Sequence, residues 1–402
     1  SMQTPVLVLD NGGSTIKAGM ASDDSPSIVM PNVTARIKKS LHELVGDDTL
    51  TGVSDHSQLL YYRPIEKGYL VDYDLETKVW HRLFDENHLH IDPQEYCLYM
   101  SQPLFNMDAL MKASVEVVFE HFQFNSFLSA PAPLWAFHNH LQHLPDTHLS
   151  KQTRTGLVVE SGFSFTHVVP IVDGKVVLNA VRRVNVGGKL LTNLLKETLS
   201  FRQVNVQDST FLVNKLKEQY SYFSLDVYKD LERCRRNPSE KRVVFVLPDY
   251  VTSSTGYELK PGQRADPSQQ ILVLGNERFM VPEALFNPSD IGIRQAGIAE
   301  TVGRCIRSFA PGVRELLLSN VLLTGGNVTI PNFVERFSQD VTPYVEEGTP
   351  LQLYKADDSI GDTWRGGALL ARSPEFASQV VTRAMYEENG ASRVLYNAFQ
   401  SQ

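Results

Sequence analysis

Two short segments of this chain place an acidic residue at the end of an apolar strand and follow it with a turn rich in glycine and serine. The first is VLVLDNGGSTIKAG at residues 6–19, and the second is GLVVESGFSFTHVVP at residues 156–170. Phosphate groups bind to backbone N–H groups that no side chain covers, and a nearby carboxylate can hold a hydrated metal ion. Two facing copies of this turn predict a site that grips one polyphosphate from both sides.

The elements that must position these turns alternate between strands and helices. Apolar runs predict strands at residues 5–10, 156–160, 166–171, 176–181 and 243–246. Helical periodicity predicts helices at residues 110–122, 190–200 and 211–221. This alternation is typical of an α/β architecture. Because the second turn opens a second run of this kind, we expect a lobe boundary near Ser150.

Three further segments stand out. A third glycine pair, Gly325 and Gly326, follows an apolar run at residues 320–323 and precedes residues 328–333. We interpret it as a strand, a turn and a helix that presents backbone amides at its start. The histidine-rich residues 137–152 and the basic residues 233–242 interrupt the regular pattern, and we interpret both as surface insertions.

Length, composition and charge limit the possible functions. At 402 residues, 42% of them hydrophobic, the chain is too long for one ordinary core and can bury two. A net charge of −8 argues against a protein whose main task is to bind nucleic acid through its phosphates. Three cysteines without close spacing are typical of packed thiols in a reducing compartment. Without a long apolar run or a signal pattern, we expect a soluble intracellular protein with no membrane partner.

Eight ordered segments resemble the diagnostic segments of the actin superfamily over nearly the whole chain. They are the two turns above together with VNVGGKLLTNLL, KEQYSYFSLD, NERFMVPEALFNPSDIG, NVLLTGGNVTIPNF, WRGGALLA and RAMYEENG. Eight matches in order are far more specific than one glycine-rich loop. The segments RPIEKGYLVDYDLETKVWHRLF, SGFSFTHVVP and RVNVGGKLLTN look most like the nuclear actin-related subunit of SWR/SRCAP-type chromatin remodellers, which exchange histone two-A for its Z variant.

The resemblance implies an α/β fold of two actin-like lobes around a nucleotide cleft. Each lobe would be built on a mixed five-stranded sheet with flanking helices. The first lobe would comprise residues 2–150 with a C-terminal return at residues 361–402, and the second lobe residues 151–360. The implied cofactor is ATP or ADP with Mg²⁺.

The resemblance also implies roles for individual residues of the cleft. In the first turn, Asp10 would hold Mg²⁺ through water, Lys17 would supply a cation, and the phosphate donors would be Gly12, Gly13, Ser14 and Thr15. In the second turn, Glu160 would be the second metal-side acid, one methylene longer than the usual Asp, and the donors would be Ser161, Gly162, Ser164 and Phe165. The residues around the ribose and base would be Gly188, Lys217, Glu218, Gly325 and Gly326.

Three departures from the family pattern weaken the purine end of this site. Asn214 stands where the family often has a base-stacking Arg, and Ile330 stands where it has an aromatic residue. The Lys that covers adenine is absent near residues 360–361. Each lost stacking or cation contact costs about 0.5–2 kcal/mol. We therefore expect weaker binding, or slow exchange because the protein closes over its nucleotide.

Hydrolysis is a separate expectation, because it requires groups that orient the attacking water. The resemblance places Pro131 where actin has its water-positioning Gln and Phe163 where actin has a second Asp. Neither side chain can hydrogen-bond to water, and His167 is the residual catalytic candidate. Since each positioned acid–base group typically contributes about 10²–10⁴-fold, we expect little or no turnover and do not expect an enzyme.

Filament formation is not expected either. In actin, a projecting loop of the first lobe inserts into the next subunit. The corresponding segment of this chain, residues 32–45, is several residues shorter than that loop and more charged. The charged side chains are Arg36, Lys38, Lys39, His42 and Glu43. Their burial in a neighbouring subunit would cost a large desolvation free energy, so we expect a monomer away from its complex and no homopolymer.

The resemblance implies a nuclear protein, with the cytoplasm as a second location, that binds a zinc-HIT-domain subunit and the motor subunit of the remodeller. The basic run is a candidate contact for nucleosomal DNA, although a solvated turn between the lobes explains it better. Its cations are Arg233, Arg235, Arg236, Lys241 and Arg242. The histidine-rich residues 137–152 lack a partnering Cys or carboxylate cluster, so a protein-contact loop fits them better than a metal site.

Two functions of other classes stay open. A cytoskeletal actin-like ATPase that polymerises would need an apolar loop tip and an intact catalytic set. A sugar-kinase-like phosphotransferase shares the duplicated lobes, but it would need an acid that faces a substrate hydroxyl in the cleft.

Overall fold

The computed structural model describes residues 4–398, in which strands and helices alternate as the sequence predicts. The strands are β1 (Val6–Asn11), β2 (Thr15–Met20), β3 (Ile28–Pro31), β4 (Thr34–Ile37), β5 (Glu43–Val45), β6 (Leu59–Tyr62), β7 (Ile65–Glu66), β8 (Tyr69–Leu70), β9 (Cys97–Gln102), β10 (Ser126–Pro131), β11 (Gly156–Ser161), β12 (Thr166–Val172), β13 (Lys175–Val176), β14 (Arg182–Val184), β15 (Val243–Val246), β16 (Tyr257–Glu258), β17 (Ile271–Leu274), β18 (Val321–Thr324), β19 (Leu353–Lys355) and β20 (Val381–Thr382). The α-helices are α1 (Asp48–Thr51), α2 (Tyr73–Phe84), α3 (Asp108–Glu116), α4 (Ala132–His143), α5 (Leu149–Thr153), α6 (Gly188–Arg202), α7 (Thr210–Tyr220), α8 (Val227–Arg236), α9 (Glu277–Glu283), α10 (Ile298–Ile306), α11 (Pro311–Leu318), α12 (Phe333–Val341), α13 (Asp362–Ala371), α14 (Phe376–Gln379), α15 (Arg383–Asn389) and α16 (Ala391–Ala398).

Two main sheets repeat one topology. The first has the strand order β20-β10-β9-β1-β2-β3, with the hairpin β1–β2 antiparallel and β1, β9 and β10 parallel. The second has the order β13-β12-β11-β18-β19, with the hairpin β11–β12 antiparallel and β11, β18 and β19 parallel. Each sheet has six strands rather than the expected five, because β20 extends the first sheet and β14 also pairs with β12 in the second.

Each main sheet buries both faces, which explains the continuous apolar runs of its central strands. Leu7 and Leu9 of β1 face one core of the first sheet, and Val8 faces the other. In the second sheet, Leu157 and Val158 of β11 divide between two cores in the same way. We call each main sheet with the elements packed on it a lobe.

Two three-stranded sheets extend the lobes, and β7 and β8 form a separate two-stranded sheet. The sheet with the order β5-β4-β6 is tied to α2 of the first lobe by ion pairs from Lys78 to Glu43, at 2.9 Å, and from Arg82 to Asp47, at 2.6 Å. The sheet with the order β16-β15-β17 contributes apolar residues such as Phe245 to the main core of the second lobe.

Helices α4 and α13 pack against each other between the two main sheets. The contact is close: a Cβ added at Gly366 of α13 would lie 1.7 Å from the carbonyl oxygen of Trp135 on α4, so only glycine fits there. Trp364 of α13 donates its indole N–H to the carbonyl oxygen of Val8 at 3.0 Å. The chain therefore returns to the first sheet after leaving the second, while the boundaries predicted at residues 150 and 361 stay predictions.

Several predicted elements need correction. Residues 176–181 are not a strand, because β13 ends at Val176 and a 3-10 turn, Leu178–Ala180, follows. The third glycine pair leads into a 3-10 turn, Gly326–Thr329, and the helix α12 begins only at Phe333. The predicted helix at residues 110–122 is α3 followed by one turn of π-helix, Val117–His121.

The two segments interpreted as surface insertions are helical in part. Residues 137–143 complete α4, which is largely buried, and the basic run begins on α8. His140 is buried, and its Nε2 hydrogen-bonds to Asn320 Oδ1 at 2.7 Å. The interpretation of residues 137–152 as a surface insertion is therefore wrong, because this histidine finds its partner in the second lobe.

Residues 4–398 contain neither a candidate membrane-spanning helix nor a cluster of metal-ligating side chains. No helix there combines the length and apolar character needed to span a membrane. No three His, Cys, Asp or Glu side chains of this part of the chain lie close enough together to hold a metal ion by themselves.

Candidate phosphate-binding site

The two hairpins place their acidic residues in equivalent positions. Asp10 is the fifth residue of the six-residue β1 and lies opposite Lys17 of β2. Glu160 is the fifth residue of the six-residue β11 and lies opposite His167 of β12. The duplicated topology thus presents one carboxyl group from each lobe at the turn end of its central strand.

The carbonyl groups of the first turn are bound on one side by neighbouring residues. Asn32 donates its side-chain N–H to the Gly12 oxygen at 3.1 Å and its backbone N–H to the Ser14 oxygen at 2.9 Å. Arg63 donates Nη1 to the Gly13 oxygen at 3.1 Å. Within residues 4–398, no group accepts a hydrogen bond from the N–H groups of Gly12, Gly13 or Ser14. These amides are free to bind an anion.

The Asp10 carboxylate is buried and held by two donors. Its Oδ1 accepts from Ser101 Oγ at 2.9 Å, and its Oδ2 accepts from Lys17 Nζ at 3.1 Å. Ser101 Oγ also accepts from the backbone N–H of Asn11 at 2.9 Å. Lys17, predicted to supply a cation to the phosphates, is paired with Asp10 in this structure, and the two charges offset each other.

The second turn uses part of its own hydrogen-bonding capacity. Ser161 Oγ is bound to Thr166 Oγ1 at 2.8 Å, and Asn327 donates to Ser161 Oγ at 3.1 Å. The N–H of Gly162 donates to the Phe165 oxygen at 3.0 Å in this structure, and the role of Gly162 as a phosphate donor stays a prediction.

Other amides of this turn are free. None of the residues that the structure describes accepts a hydrogen bond from the N–H groups of Phe163, Ser164 or Phe165. Sequence reasoning named Ser164 and Phe165 and assigned Phe163 only to lost catalysis.

The two turns meet across the lobes. A Cβ added at Gly13 would lie 3.3 Å from Ser164 Oγ and 3.6 Å from Phe163 Cδ1. The Arg63 guanidinium lies 4.8 Å from the centre of the Phe163 ring. Residues of the first lobe therefore contact the second turn directly, as the prediction of two facing turns requires.

The second carboxyl group has an unusual electrostatic environment. Burial, reinforced by the negative charge of Asp10, raises the pKa of Glu160 to about 7. Burial, reinforced by the positive charge of Arg183, lowers the pKa of His167 to about 4. His167 Nδ1 lies 3.9 Å from Glu160 Oε2, too far for a hydrogen bond, and the neutral imidazole offers no ion pair.

The residues predicted for the ribose end form one network. Buried Lys217 donates Nζ to the Gly188 oxygen at 3.1 Å and to Thr192 Oγ1 at 3.0 Å, and burial lowers its pKa to about 8. Asn214 donates to Glu218 Oε1 at 2.9 Å, and Glu218 is exposed. Asn214 therefore orients the predicted ribose acceptor instead of stacking on a base.

The third turn supports the second one. Gly325, at φ +94°, donates its N–H to the Ser359 oxygen at 3.1 Å. A Cβ added at Gly326 would meet nothing within 4 Å, so the backbone there borders open space. Ile330 is buried in the main core of the second lobe.

Sequence reasoning missed several residues that hold the turns. Buried Glu76 accepts hydrogen bonds from the side-chain amides of Asn11 and Asn32, and burial raises its pKa to about 7. Gly187 precedes α6, where a Cβ would lie 2.5 Å from the Phe163 oxygen. The motif VNVGGKLL signals Gly187 as well as Gly188. Arg63 and Glu76 lie in the segment RPIEKGYLVDYDLETKVWHRLF, but the resemblance gave neither residue a role, and no sequence pattern signals Asn32.

The strand beside Pro131 carries a further missed residue. Pro131 of β10 pairs in register with Gln102 of β9. Gln102 is buried, and neither polar atom of its amide has a partner among the described residues. An unsatisfied amide therefore lies next to the position at which sequence reasoning expected no water-positioning group.

These groups fit a nucleotide with Mg²⁺. Free amides line both turns, each lobe contributes one acid at the turn end of its central strand, and the backbone at Gly326 borders open space. The donor set is thus of the type that binds polyphosphate, and Asp10 and Glu160 are the residues that would hold Mg²⁺ through water.

Comparison with known proteins agrees with the fold. The sequence model of the actin family matches residues 1–212 and 208–398 of the chain. The chain therefore belongs to the actin family, and the expected two-lobed actin-like fold is confirmed. Members of this family typically bind ATP or ADP with Mg²⁺.

Relatives of nearly full length narrow the class to actin-related proteins. The chain is similar to Actin-related protein 6 of Arabidopsis thaliana, with 37% identity over 96% of this chain and 98% of the relative. It is similar to Actin-related protein 6 of Drosophila melanogaster, with 34% identity over 97% of this chain and 98% of the relative. It is also similar to Actin-like protein ARP6 of Cryptococcus neoformans, with 36% identity over 96% of this chain and 83% of the relative.

Proposed function

We propose that this chain is a non-polymerising, actin-related scaffold subunit of an SWR/SRCAP-type chromatin remodeller, in which a bound nucleotide stabilises the two-lobed body and is hydrolysed slowly or not at all. The observation that carries the nucleotide part is the meeting of the two turns, with Gly13 against Ser164 and free amides on both sides. The chromatin part rests on the sequence resemblance and on relatives named Actin-related protein 6.

A nucleotide would act here chiefly through binding energy. A ligand that binds the folded protein alone stabilises it by RT ln(1 + [L]/Kd), about 2.7 kcal/mol at a hundredfold excess over Kd. Its phosphates would supply negative charge to the amides of both turns, and Asp10 and Glu160 would hold its metal ion. Because these groups belong to different lobes, binding would favour the closed arrangement of the lobes.

Slow hydrolysis follows from the groups at the phosphate end. Pro131 precedes α4 without a side-chain donor, and the Phe163 ring is covered by Arg63. His167, with its pKa lowered to about 4, is neutral at physiological pH and makes no hydrogen bond to Glu160. The unpartnered amide of Gln102 is the one feature that favours residual turnover.

The segment that would polymerise actin is a short hairpin in this chain. Strands β4 and β5 leave only residues 38–42 at its tip, where Lys39 and His42 are exposed beside Leu41, which is 99% exposed. One apolar side chain among polar residues supports a monomer rather than a filament.

The proposed partners are the zinc-HIT-domain subunit and the motor subunit of the remodeller, and the proposed location is the nucleus. The basic run is a weaker candidate for DNA contact than its sequence suggests. Glu232 accepts hydrogen bonds from Arg235 and Arg236, and Asp230 pairs with Lys241 at 2.9 Å. These ion pairs reduce the positive charge that α8 and the following turn offer to a phosphate backbone.

The deciding experiment is to extract and identify the nucleotide that co-purifies with the protein, and then to measure thermal unfolding with and without millimolar Mg-ATP. We expect ATP or ADP in the extract and a rise in Tm. An empty extract together with an unchanged Tm would contradict the nucleotide part. Phosphate release at an ordinary enzyme rate that Gln102→Leu abolishes would overturn the claim of slow hydrolysis.

The scaffold part needs its own test. Sedimentation in polymerising salt should find a monomer, and purification from nuclear extract should recover remodeller subunits and the Z-type histone. Salt-induced filaments would favour the cytoskeletal alternative. Phosphate transfer to a sugar hydroxyl would favour the phosphotransferase.

A further inference from the structure

We propose that Arg63 is a phosphate-retaining cation: its guanidinium, fixed between the two turns, makes the cleft prefer a polyphosphate over the corresponding nucleoside. This inference rests on the nucleotide site proposed above and adds to it a residue that determines specificity. Sequence reasoning gave Arg63 no role.

The side chain of Arg63 is anchored to backbone carbonyl groups of the first turn. It follows β6 directly, and its Nη1 donates to the carbonyl oxygens of Gly13 at 3.1 Å and Ser14 at 3.4 Å. Since these carbonyl groups point toward Arg63, the N–H groups of the turn are left to face the cleft. The guanidinium is thus fixed in position before any ligand binds, which lowers the entropic cost of binding an anion.

The second turn fixes the other side of the guanidinium. The Phe163 ring lies against it, with Cζ 4.8 Å from the ring centre, a distance typical of a cation–π contact. Phe163 stands at the position where the resemblance predicts an acid. The phosphate end therefore lacks a carboxylate at this position and has instead an aromatic ring that contacts the positively charged guanidinium of Arg63.

The charge of Arg63 is not offset within the described residues. No Asp or Glu there forms an ion pair with its guanidinium, and no group there accepts a hydrogen bond from its Nε or Nη2. Burial without a carboxylate partner lowers the pKa of Arg63. Lys17, by contrast, is paired with Asp10 at 3.1 Å. Arg63 thus carries an uncompensated positive charge on the carbonyl side of the turn, and from there it attracts a phosphate group bound at the N–H side through the Coulomb interaction.

Arg183 provides a matched control on the same turn. Its guanidinium lies 4.5 Å from the centre of the Phe165 ring, and it donates to Tyr69 Oη at 3.2 Å. Arg183 is exposed, however, so solvent screens its charge, and it makes no bond to the first turn.

The test is calorimetric titration of the full chain with Mg-ATP, Mg-ADP and adenosine. For Arg63→Gln we expect ATP affinity to fall about 10- to 100-fold and adenosine affinity to stay within twofold, since the attraction of the guanidinium charge is lost only where phosphate is present. Arg63→Lys should recover part of the loss because it keeps the charge without the fork. Arg183→Gln should change the ratio of ATP to adenosine affinity less than twofold.

Two results would overturn the inference while leaving the nucleotide site intact. One is an equal loss of affinity for all three ligands in both Arg63 variants, the sign of a merely structural role. The other is an unchanged affinity ratio in an Arg63→Gln protein that keeps the wild-type Tm. A wild-type protein that binds none of the three ligands would overturn the nucleotide site itself.

Discussion

The imidazole ring of His56 stacks on the phenyl ring of Phe211, with ring centroids 4.2 Å apart and planes inclined by 23°. His56 lies in the 3-10 turn before β6 of the first lobe, and Phe211 lies on α7 of the second lobe. Lys38 and Asp208 join the same two regions, with Nζ 3.0 Å from Oδ2. The lobes therefore also touch away from the phosphate turns, on the helix that carries Lys217.

Removal of this stacking should speed the release of a bound nucleotide. An aromatic pair contributes about 0.5–1.5 kcal/mol beyond its buried area, so His56→Ala or Phe211→Ala should raise the release rate about 2- to 10-fold. Stopped-flow release of a fluorescent ATP analogue measures this rate. Phe201→Ala is the control, because Phe201 on α6 is 92% exposed. Equal release rates in all variants would show that the contact does not limit exchange.

Short-range sequence patterns were enough to predict much of the fold. The hairpins at β1–β2 and β11–β12 were predictable because their residues are consecutive and apolar. The prediction of a strand at residues 176–181 was wrong because Val176 ends β13, whereas Ala180 and Val181 are buried without pairing as a strand. The prediction of a surface insertion at residues 137–152 was wrong because polar His140 is buried against Asn320, a contact between residues 180 positions apart.

The residues of the candidate site were likewise predictable from the sequence only in part. The turn residues were predictable from the types of consecutive residues, whereas the residues that hold the turns come from distant segments of the chain. Asn32 reaches Gly12 across 20 positions, Arg63 reaches Gly13 across 50, and Glu76 reaches Asn11 across 65. Such pairs depend on how β6 and α2 pack on the first sheet, which local spacing does not encode.

The buried carboxyl group of Glu76 should make stability depend on pH. Its pKa in the folded protein is about 7, above the ordinary value of 4.5, so the folded state holds the extra proton between these pH values. This contribution to the free energy of unfolding is complete below about pH 4.5 and is lost as the pH rises through 7. Glu76→Gln cannot ionise, so it should flatten the pH dependence and stabilise the protein at pH 8 by up to about 3 kcal/mol.

Urea unfolding at pH 5, 6, 7 and 8 measures this effect. Glu66→Gln, at an exposed position, is the matched control and should keep the wild-type slope. A Glu76→Gln protein with the wild-type slope would show that Glu76 is ionised throughout this range.

The affinity for Mg-ATP should rise between pH 6 and pH 8. Burial and the charge of Asp10 raise the pKa of Glu160 to about 7, and only its ionised form can hold a metal-bound water. The ionised fraction grows through this interval, so the affinity should rise by up to about tenfold. Calorimetry of wild-type protein and Glu160→Gln measures the difference, with ATP in a chelator as the metal-free control. The same rise in both proteins would assign it to another group.

Two glycines of the site should separate folding from binding. At Gly187 a Cβ would lie 2.5 Å from the Phe163 oxygen and 2.6 Å from the Ser164 carbonyl carbon, so Gly187→Ala must displace backbone. We expect it to lower the Tm of the ligand-free protein, with a loss of about 1–3 kcal/mol in the free energy of unfolding, as overpacking typically costs.

At Gly326 a Cβ would meet nothing within 4 Å, so Gly326→Ala should keep the ligand-free Tm. Its methyl group would project into the open space beside the ribose network, so it should reduce the rise in Tm that Mg-ATP produces. Thermal unfolding with and without Mg-ATP distinguishes the two variants, and a full ATP-induced rise in Gly326→Ala would place the nucleotide away from the third turn.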